Sequence, residues 1–337
     1  MTLQSHAGAL PAGLIDVFAD APLTGNPLAV VEDADVLTEA QMRRIAGEFN
    51  QAETTFVMRS DRADRKLRSF TAAGAEVGGA GHNALGAWLW LAEEGRLGGL
   101  DTPRTFHQEI AGEVLPIVLK KIDGRIFGRM RQSRLNLFSP LDEPAALASA
   151  LQLQAEDILV EPRPRVAGTG AAHLLVRVRD RTIVDRAKPS AEALLDVLAS
   201  VGGEGCYIYA FDPASPDQAY ARFFNPTVGL WEDAATGTAA GPLAAYLARE
   251  GLIGETIEIE QGTKMGRRSI LRLRQARAGP GTLGSRSGGD ARRPFHLAAA
   301  SPARCRPEAS VFTQDRPSSR LGSPASSSLG LDSVDVT

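Results

Sequence analysis

The sequence predicts an α+β fold of two pseudo-symmetric domains, each a sheet wrapped around a central helix. Two observations carry this. The first is an internal repeat. Residues 80–95 (Ala80-Gly81-His82-Asn83 through Glu94-Gly95) align without a gap on residues 236–251 (Thr236-Gly237-Thr238-Ala239 through Glu250-Gly251), with six of 16 pairs identical. Each copy opens on a glycine turn, runs on as a small-residue apolar helix and ends at Gly95 or Gly251, the residue type that stops a helix. The second is order: strands, a loop, a glycine turn, one helix and more strands, twice over, as expected of a duplicated α+β unit.

Taken in order, Gly13–Phe18 alternates as a strand. The run Asp20-Ala21-Pro22-Leu23-Thr24-Gly25-Asn26-Pro27 is a dense turn signal, and a strand over residues 27–31 completes a hairpin. Thr38 is a good N-cap for a helix over residues 39–49. Strands are predicted at 53–58 and 66–70, before the first repeat helix. Short strands fill 104–130, with turns at Gly112 and Asp123-Gly124. Residues 139–144 read as a connector, and this sets the domains at 11–135 and 142–274. In the second domain a helix is expected within 142–153 and another at 191–201. Strands are expected at 158–160, 165–168, 173–178, 206–211, 218–224, 255–260 and 269–273.

Beyond about residue 275 the composition changes. Gly, Pro, Ser and Arg fill 32 of the 62 positions in 276–337, and Leu, Ile, Val and Phe only 10. That is too little apolar surface to offset the ordering entropy, so 275–337 is expected to be a disordered tail. A frameshifted reading of a GC-rich gene would give the same composition as a natural tail, and both readings stay open.

Composition narrows the function classes. A chain of 337 residues with 43% hydrophobic residues can build two cores. Net charge is −3 and no basic stripe stands out, so nucleic acid is not an expected partner. No apolar run reaches membrane-spanning length and no signal pattern opens the chain. The two cysteines, Cys206 and Cys305, stand far apart in no metal spacing, which fits a reducing, cytoplasmic setting. No metal cluster, phosphate loop or dinucleotide fingerprint is present, and neither metal nor cofactor is expected.

The chemistry points to the helix starts. Free N–H groups and the helix dipole make each an anion site. Two of them, one per half, could hold a small carboxylate substrate across a cleft, although two buried core helices would read the same way. Glu53 stands out as a carboxylate beside Thr54-Thr55-Phe56-Val57. Partial burial would raise its pKa and suit it to taking and returning a proton, whereas an edge-strand glutamate in water is the plainer reading. His82 begins the first repeat helix, where the dipole disfavours its charged form. Asp233 precedes the second glycine turn, placed to accept from a substrate amine or hydroxyl or to cap the turn.

The runs Asp16-Val17-Phe18, Thr24-Gly25-Asn26-Pro27-Leu28-Ala29-Val30-Val31, Ala46-Gly47-Glu48-Phe49-Asn50 and Glu53-Thr54-Thr55-Phe56-Val57 resemble the phenazine-biosynthesis PhzF-like isomerase family. Gly81-His82, Glu232-Asp233, Ala235-Thr236-Gly237-Thr238 and Glu260-Gln261-Gly262 continue the resemblance in order, to about Leu273. The resemblance implies the diaminopimelate epimerase-like fold with its active site between the domains, and a homodimer. It implies catalysis by Glu53, which shuttles a proton between substrate carbons, with His82 and Asp233. It makes Asn26, Gly81, Gly237 and Thr238 substrate-binding candidates, and Asn83, next to His82 in the same turn, is taken as another. Related epimerases of this fold use a cysteine in each glycine turn, where this chain has Ala80 and Thr236, so a two-thiol racemase is not expected. The chain departs from the family at Ala52, Asn83 and Ala234, which opens the choice of substrate. The terminal strands of the family are expected to be missing here. Two other readings remain: an epimerase of a small amino or hydroxy acid, with Asp233 as its second base, and a non-catalytic binding protein that keeps the fold.

Overall fold

The computed structural model describes residues 9–79, 81–131, 134–141, 144–228, 230–275, 295–300 and 309–312. Its first half runs β1 (Ala9–Val17), β2 (Asn26–Val31), α1 (Glu39–Phe49), β3 (Thr54–Met58), β4 (Arg65–Phe70), β5 (Glu76–Val77), α2 (His82–Glu93), β6 (Arg104–Ile110), β7 (Glu113–Ile122), β8 (Arg125–Arg131) and β9 (Asn136–Pro140). The remainder runs α3 (Ala145–Leu151), β10 (Arg165–Gly168), β11 (Ala172–Arg177), α4 (Arg181–Arg186), α5 (Ala191–Val201), β12 (Gly205–Phe211), β13 (Gln218–Asn225), β14 (Leu230–Asp233), α6 (Gly237–Arg249), β15 (Thr256–Gln261), β16 (Ser269–Gln275), β17 (Phe295–Ala300) and β18 (Ala309–Phe312).

The strand ladders give the duplication its physical form. In the first half β1–β2 is antiparallel, β2–β3 parallel, β3–β4 antiparallel, β4–β6 parallel, and β6–β7 and β7–β8 antiparallel. In the second, β10–β11, β11–β12, β12–β13, β13–β15, β15–β16 and β16–β17 repeat that series in the same order and sense. Strand β17 is therefore the counterpart of β8, and the two pair with each other, joining the halves. Likewise β9 pairs with β10 and β18 with β1, both antiparallel.

Three expectations change here. Strands stand at 295–300 and 309–312, inside the segment expected to be a disordered tail without the terminal strands; the rest of that segment, and with it the frameshift question, lies outside the described residues. Composition concealed these strands because each is only four to six residues long among Ser, Pro and Gly. The connector over 139–144 also begins as a strand, since Asn136–Pro140 pairs with β10 of the second half. At 158–160 there is no strand, only an isolated bridge from Ile158 to Val178.

The central helices α2 and α6 supply one continuous apolar cluster, from Leu85, Trp88 and Leu89 to Ala240, Leu243 and Leu247. Trp88 is wholly buried and its indole N–H donates to Gln108 Oε1 at 2.8 Å. Gly86 lets α2 lie against β2; a β-carbon there would sit 2.5 Å from Leu28 Cδ2. Thr38 caps α1 through a reciprocal capping box with Gln41, as its sequence predicts.

Candidate active site

The site forms where the halves meet. Gly25 is left-handed (φ 72°), and a β-carbon there would lie 2.4 Å from Val17 O, so glycine is required. This turn docks on the second half. Gly25 N–H donates to Arg268 O at 2.9 Å, and Arg267 reaches Gly25 O, Thr24 O and the Asp16 carboxylate. Asn26 follows, almost fully buried. Its amide N–H₂ donates to Asp233 Oδ1 at 2.8 Å and to Ala235 O at 2.9 Å.

The other Asp233 oxygen accepts from Thr236 Oγ1 at 2.6 Å. Gln261, fully buried, donates to Asp233 O and Thr236 Oγ1, and accepts from Thr236 N–H and the Tyr207 hydroxyl. Asp233 is thus clamped on both oxygens. Burial raises its carboxyl to about 6, against the opposing pull of Thr236, Asn26 and the Ala234 N–H.

Glu53 lies one residue before β3, with its side chain 19% exposed, and its Oε2 has no hydrogen-bond partner. Burial raises the carboxyl to about 8, and the Asp233 charge adds to the rise. His82 Nδ1 stands 3.7 Å from Glu53 Oε2, too far for a hydrogen bond. Burial lowers His82 to about 4, so it is neutral at pH 7, and its Nε2 also has no partner. Two buried, unpartnered polar atoms on facing groups are costly unless a ligand meets them.

Asn83 shapes the first glycine turn. Its Oδ1 accepts from Gly81 N–H at 2.7 Å, and its amide donates to Gly79 O and Ser69 Oγ. Neither α2 nor α6 has a side-chain cap, so the leading N–H groups of both helices are not spent on one. The two starts abut: a β-carbon on Gly81 would lie 3.8 Å from Thr238 Cγ2. The structure therefore brings Glu53, His82, Asp233, Asn26, Gly81, Asn83, Gly237 and Thr238 to one seam. Asn26 and Asn83 have their amides committed to protein partners.

Sequence reading did not single out His173, Thr236, Gln261 or Ser69. Gln261 was visible within Glu260-Gln261-Gly262 and Thr236 at the repeat, but nothing local indicated that they hold Asp233. His173, buried at 2% exposure, contacts Thr238 Oγ1 at 3.2 Å. Among the described residues no group of three or more His, Cys, Asp or Glu is placed to hold a metal ion. No helix there is long and apolar enough to cross a membrane.

A family model described as phenazine biosynthesis-like protein matches residues 15–283. The chain belongs to that family. It is 35% identical over 269 residues to trans-2,3-dihydro-3-hydroxyanthranilate isomerase of Pseudomonas aeruginosa, covering 79% of this chain and 90% of the relative. A PhzF-family protein of Bacillus anthracis superposes with a TM-score of 0.76 at 27% identity, over 90% of this chain and 99% of that one. A hydroxyproline epimerase of Agrobacterium vitis shares the fold, with a TM-score of 0.60 at 13% identity over 90% of this chain and 91% of its own. The protein is a PhzF-like isomerase; it adopts the two pseudo-symmetric domains expected from its repeat, in the epimerase-like fold that the resemblance implied.

Proposed function

We propose that this isomerase works without a cofactor, Glu53 taking a proton from one carbon of a small carboxylate substrate and returning it at another. The observation that carries this reading is Glu53 Oε2, among the described residues the carboxylate oxygen that is buried without a hydrogen-bond partner. Its counterpart in the second half is glycine. Arg68 and Arg222 stand equivalently in β4 and β13, each two residues before a phenylalanine; Phe70 pairs with Thr54 and Phe224 with Cys206. One residue earlier in each case lie Glu53 and Gly205. A fold built by duplication thus keeps its base on one side, which suits transfer over one face of a substrate rather than inversion.

The chemistry follows from the environment. A carboxyl near pKa 8 is a stronger base than an ordinary glutamate, and because that value lies near neutral pH it can both take the proton and hold it for return. When a carbon conjugated with a carboxylate loses its proton, charge flows to the carboxylate oxygens. The N–H groups leading α2 and α6 meet that charge as an oxyanion hole would. Neutral His82 offers a hydrogen bond without adding a cation that would lower the basicity of Glu53. Gly81 and Gly237 leave room for the ligand to approach the backbone, and Asn26 and Asn83 hold the walls in place.

The substrate of the Pseudomonas aeruginosa relative, trans-2,3-dihydro-3-hydroxyanthranilate, has the carboxylate this seam would bind, and Asp233 has lone pairs left to accept from an amine or hydroxyl. The epimerase reading needs a second base, and Asp233 is poorly suited because both its oxygens already hold protein donors. A purely binding role leaves the unpartnered Glu53 carboxyl without a use. The same reading makes the enzyme a cytoplasmic homodimer whose ligand is a small molecule and not nucleic acid. Transfer of solvent deuterium into a substrate carbon by wild type, and not by Glu53→Gln, is the test.

A further inference from the structure

Resting on that reading, we infer that His173 is a positioning residue: its Nε2–H donates to Thr238 Oγ1 and so turns the threonine hydroxyl proton outward, as a donor to the substrate carboxylate. His173 lies in β11 of the second half and is 2% exposed. Its Nε2 is 3.2 Å from Thr238 Oγ1, its Nδ1 is buried without a partner, and its ring meets Phe223 edge-on at 4.8 Å. Burial keeps the ring neutral at pH 7, lowering it to about 4, so it carries one N–H.

Which nitrogen carries that proton follows from the unpartnered Nδ1. An orphaned buried N–H is rarer in folded proteins than an under-satisfied acceptor. A proton on Nδ1 would leave a donor unmatched, whereas a proton on Nε2 leaves only a lone pair. With Nε2 as donor, Thr238 Oγ1 becomes the acceptor, and its own proton points elsewhere. Among the described residues His173 is the side-chain partner of that hydroxyl. Thr238 sits in the first turn of α6 and touches the Gly81 side of the seam. Its O–H therefore joins the N–H groups of both helix starts.

The test begins without any ligand. Long-range ¹⁵N–¹H correlation of the histidine rings in the free protein at pH 7 should show His173 as the Nε2–H tautomer, with its Nε2 resonance moved by Thr238→Val. An Nδ1–H tautomer, or a protonated ring, would overturn the inference whatever the substrate proves to be. Kinetics with trans-2,3-dihydro-3-hydroxyanthranilate then test the consequence. His173→Phe should raise KM about ten-fold with a smaller change in kcat, as expected for a lost hydrogen bond to a charged group. His173→Gln, which keeps an N–H near the Nε2 position, should recover most of that loss. Adding Thr238→Val to His173→Phe should cost little more, because the two act through one hydroxyl. Fully additive effects, or no rescue by glutamine, would show His173 to be packing only. Turnover of this compound by wild type is the reading beneath, and the tautomer is measured independently of it.

Discussion

Glu53 and Gly205 occupy equivalent places in the two halves of the molecule, each one residue before the strand position paired with the phenylalanine two residues after Arg68 or Arg222, Thr54 with Phe70 and Cys206 with Phe224. The second-half site is filled: a β-carbon on Gly205 would lie 2.5 Å from Phe223 Cζ, and that ring is wedged against His173 and Tyr207. Gly205→Ala should therefore destabilise the protein by about 1–3 kcal/mol through overpacking, read as a lower Tm. An unchanged Tm would mean that Phe223 has room to move.

The raised Glu53 carboxyl sets the sign of a pH effect. Between the ordinary value of 4.5 and about 8, the folded protein holds a proton that the unfolded chain has released. Glu53 then contributes a loss of stability that grows as pH rises through this window. Glu53→Gln removes it, so the Tm of the variant relative to wild type should climb from pH 5 to pH 8. Activity moves the other way: kcat/KM of wild type should rise through about pH 8 as the base ionises. A flat Tm difference would place Glu53 in an ordinary solvated environment.

Asn26 and Asp233 link residues far apart in the chain through a hydrogen bond to a buried carboxylate. Asn26→Ala and Asp233→Asn should each cost about 1–3 kcal/mol in denaturant titration, and the double variant less than the sum. Additive losses would show that the two residues do not act on each other.

This pair also marks where sequence reading stops. The repeat helices and the capped α1 were legible because each leaves a local mark, a glycine turn or a cap. Glu53, His82 and Asp233 stood out through the family resemblance, since the residues alone read Glu53 more plainly as an edge-strand glutamate in water. That Asn26 serves Asp233, or that Gln261 holds Thr236, depends on ladder registers and loop docking that no local pattern encodes. His173 was a lone histidine in an apolar strand, a pattern shared by many core residues. Strands β17 and β18 were hidden for a related reason. Strand β17 is half alanine and β18 only four residues long, so both carry little strand signal, and only as counterparts of β8 and β9 do they have a place.

Truncation after Gln275 tests that place. Strand β17 pairs with both β16 and β8, and β18 with β1, so removing them exposes three strand edges. The truncated protein should melt at a lower temperature and aggregate on size-exclusion chromatography. Equal Tm and a monodisperse profile would show that the strands add nothing to the fold.

The central claim is that one carboxyl moves the proton. Wild type and Glu53→Gln, both shown to be folded, would be incubated in D₂O with trans-2,3-dihydro-3-hydroxyanthranilate and a panel of small amino and hydroxy acids, and followed by NMR. The account predicts that wild type transfers deuterium to a substrate carbon with isomerisation, and that the glutamine variant is slower by about 10²–10⁴-fold. Equal rates in the two proteins would contradict it.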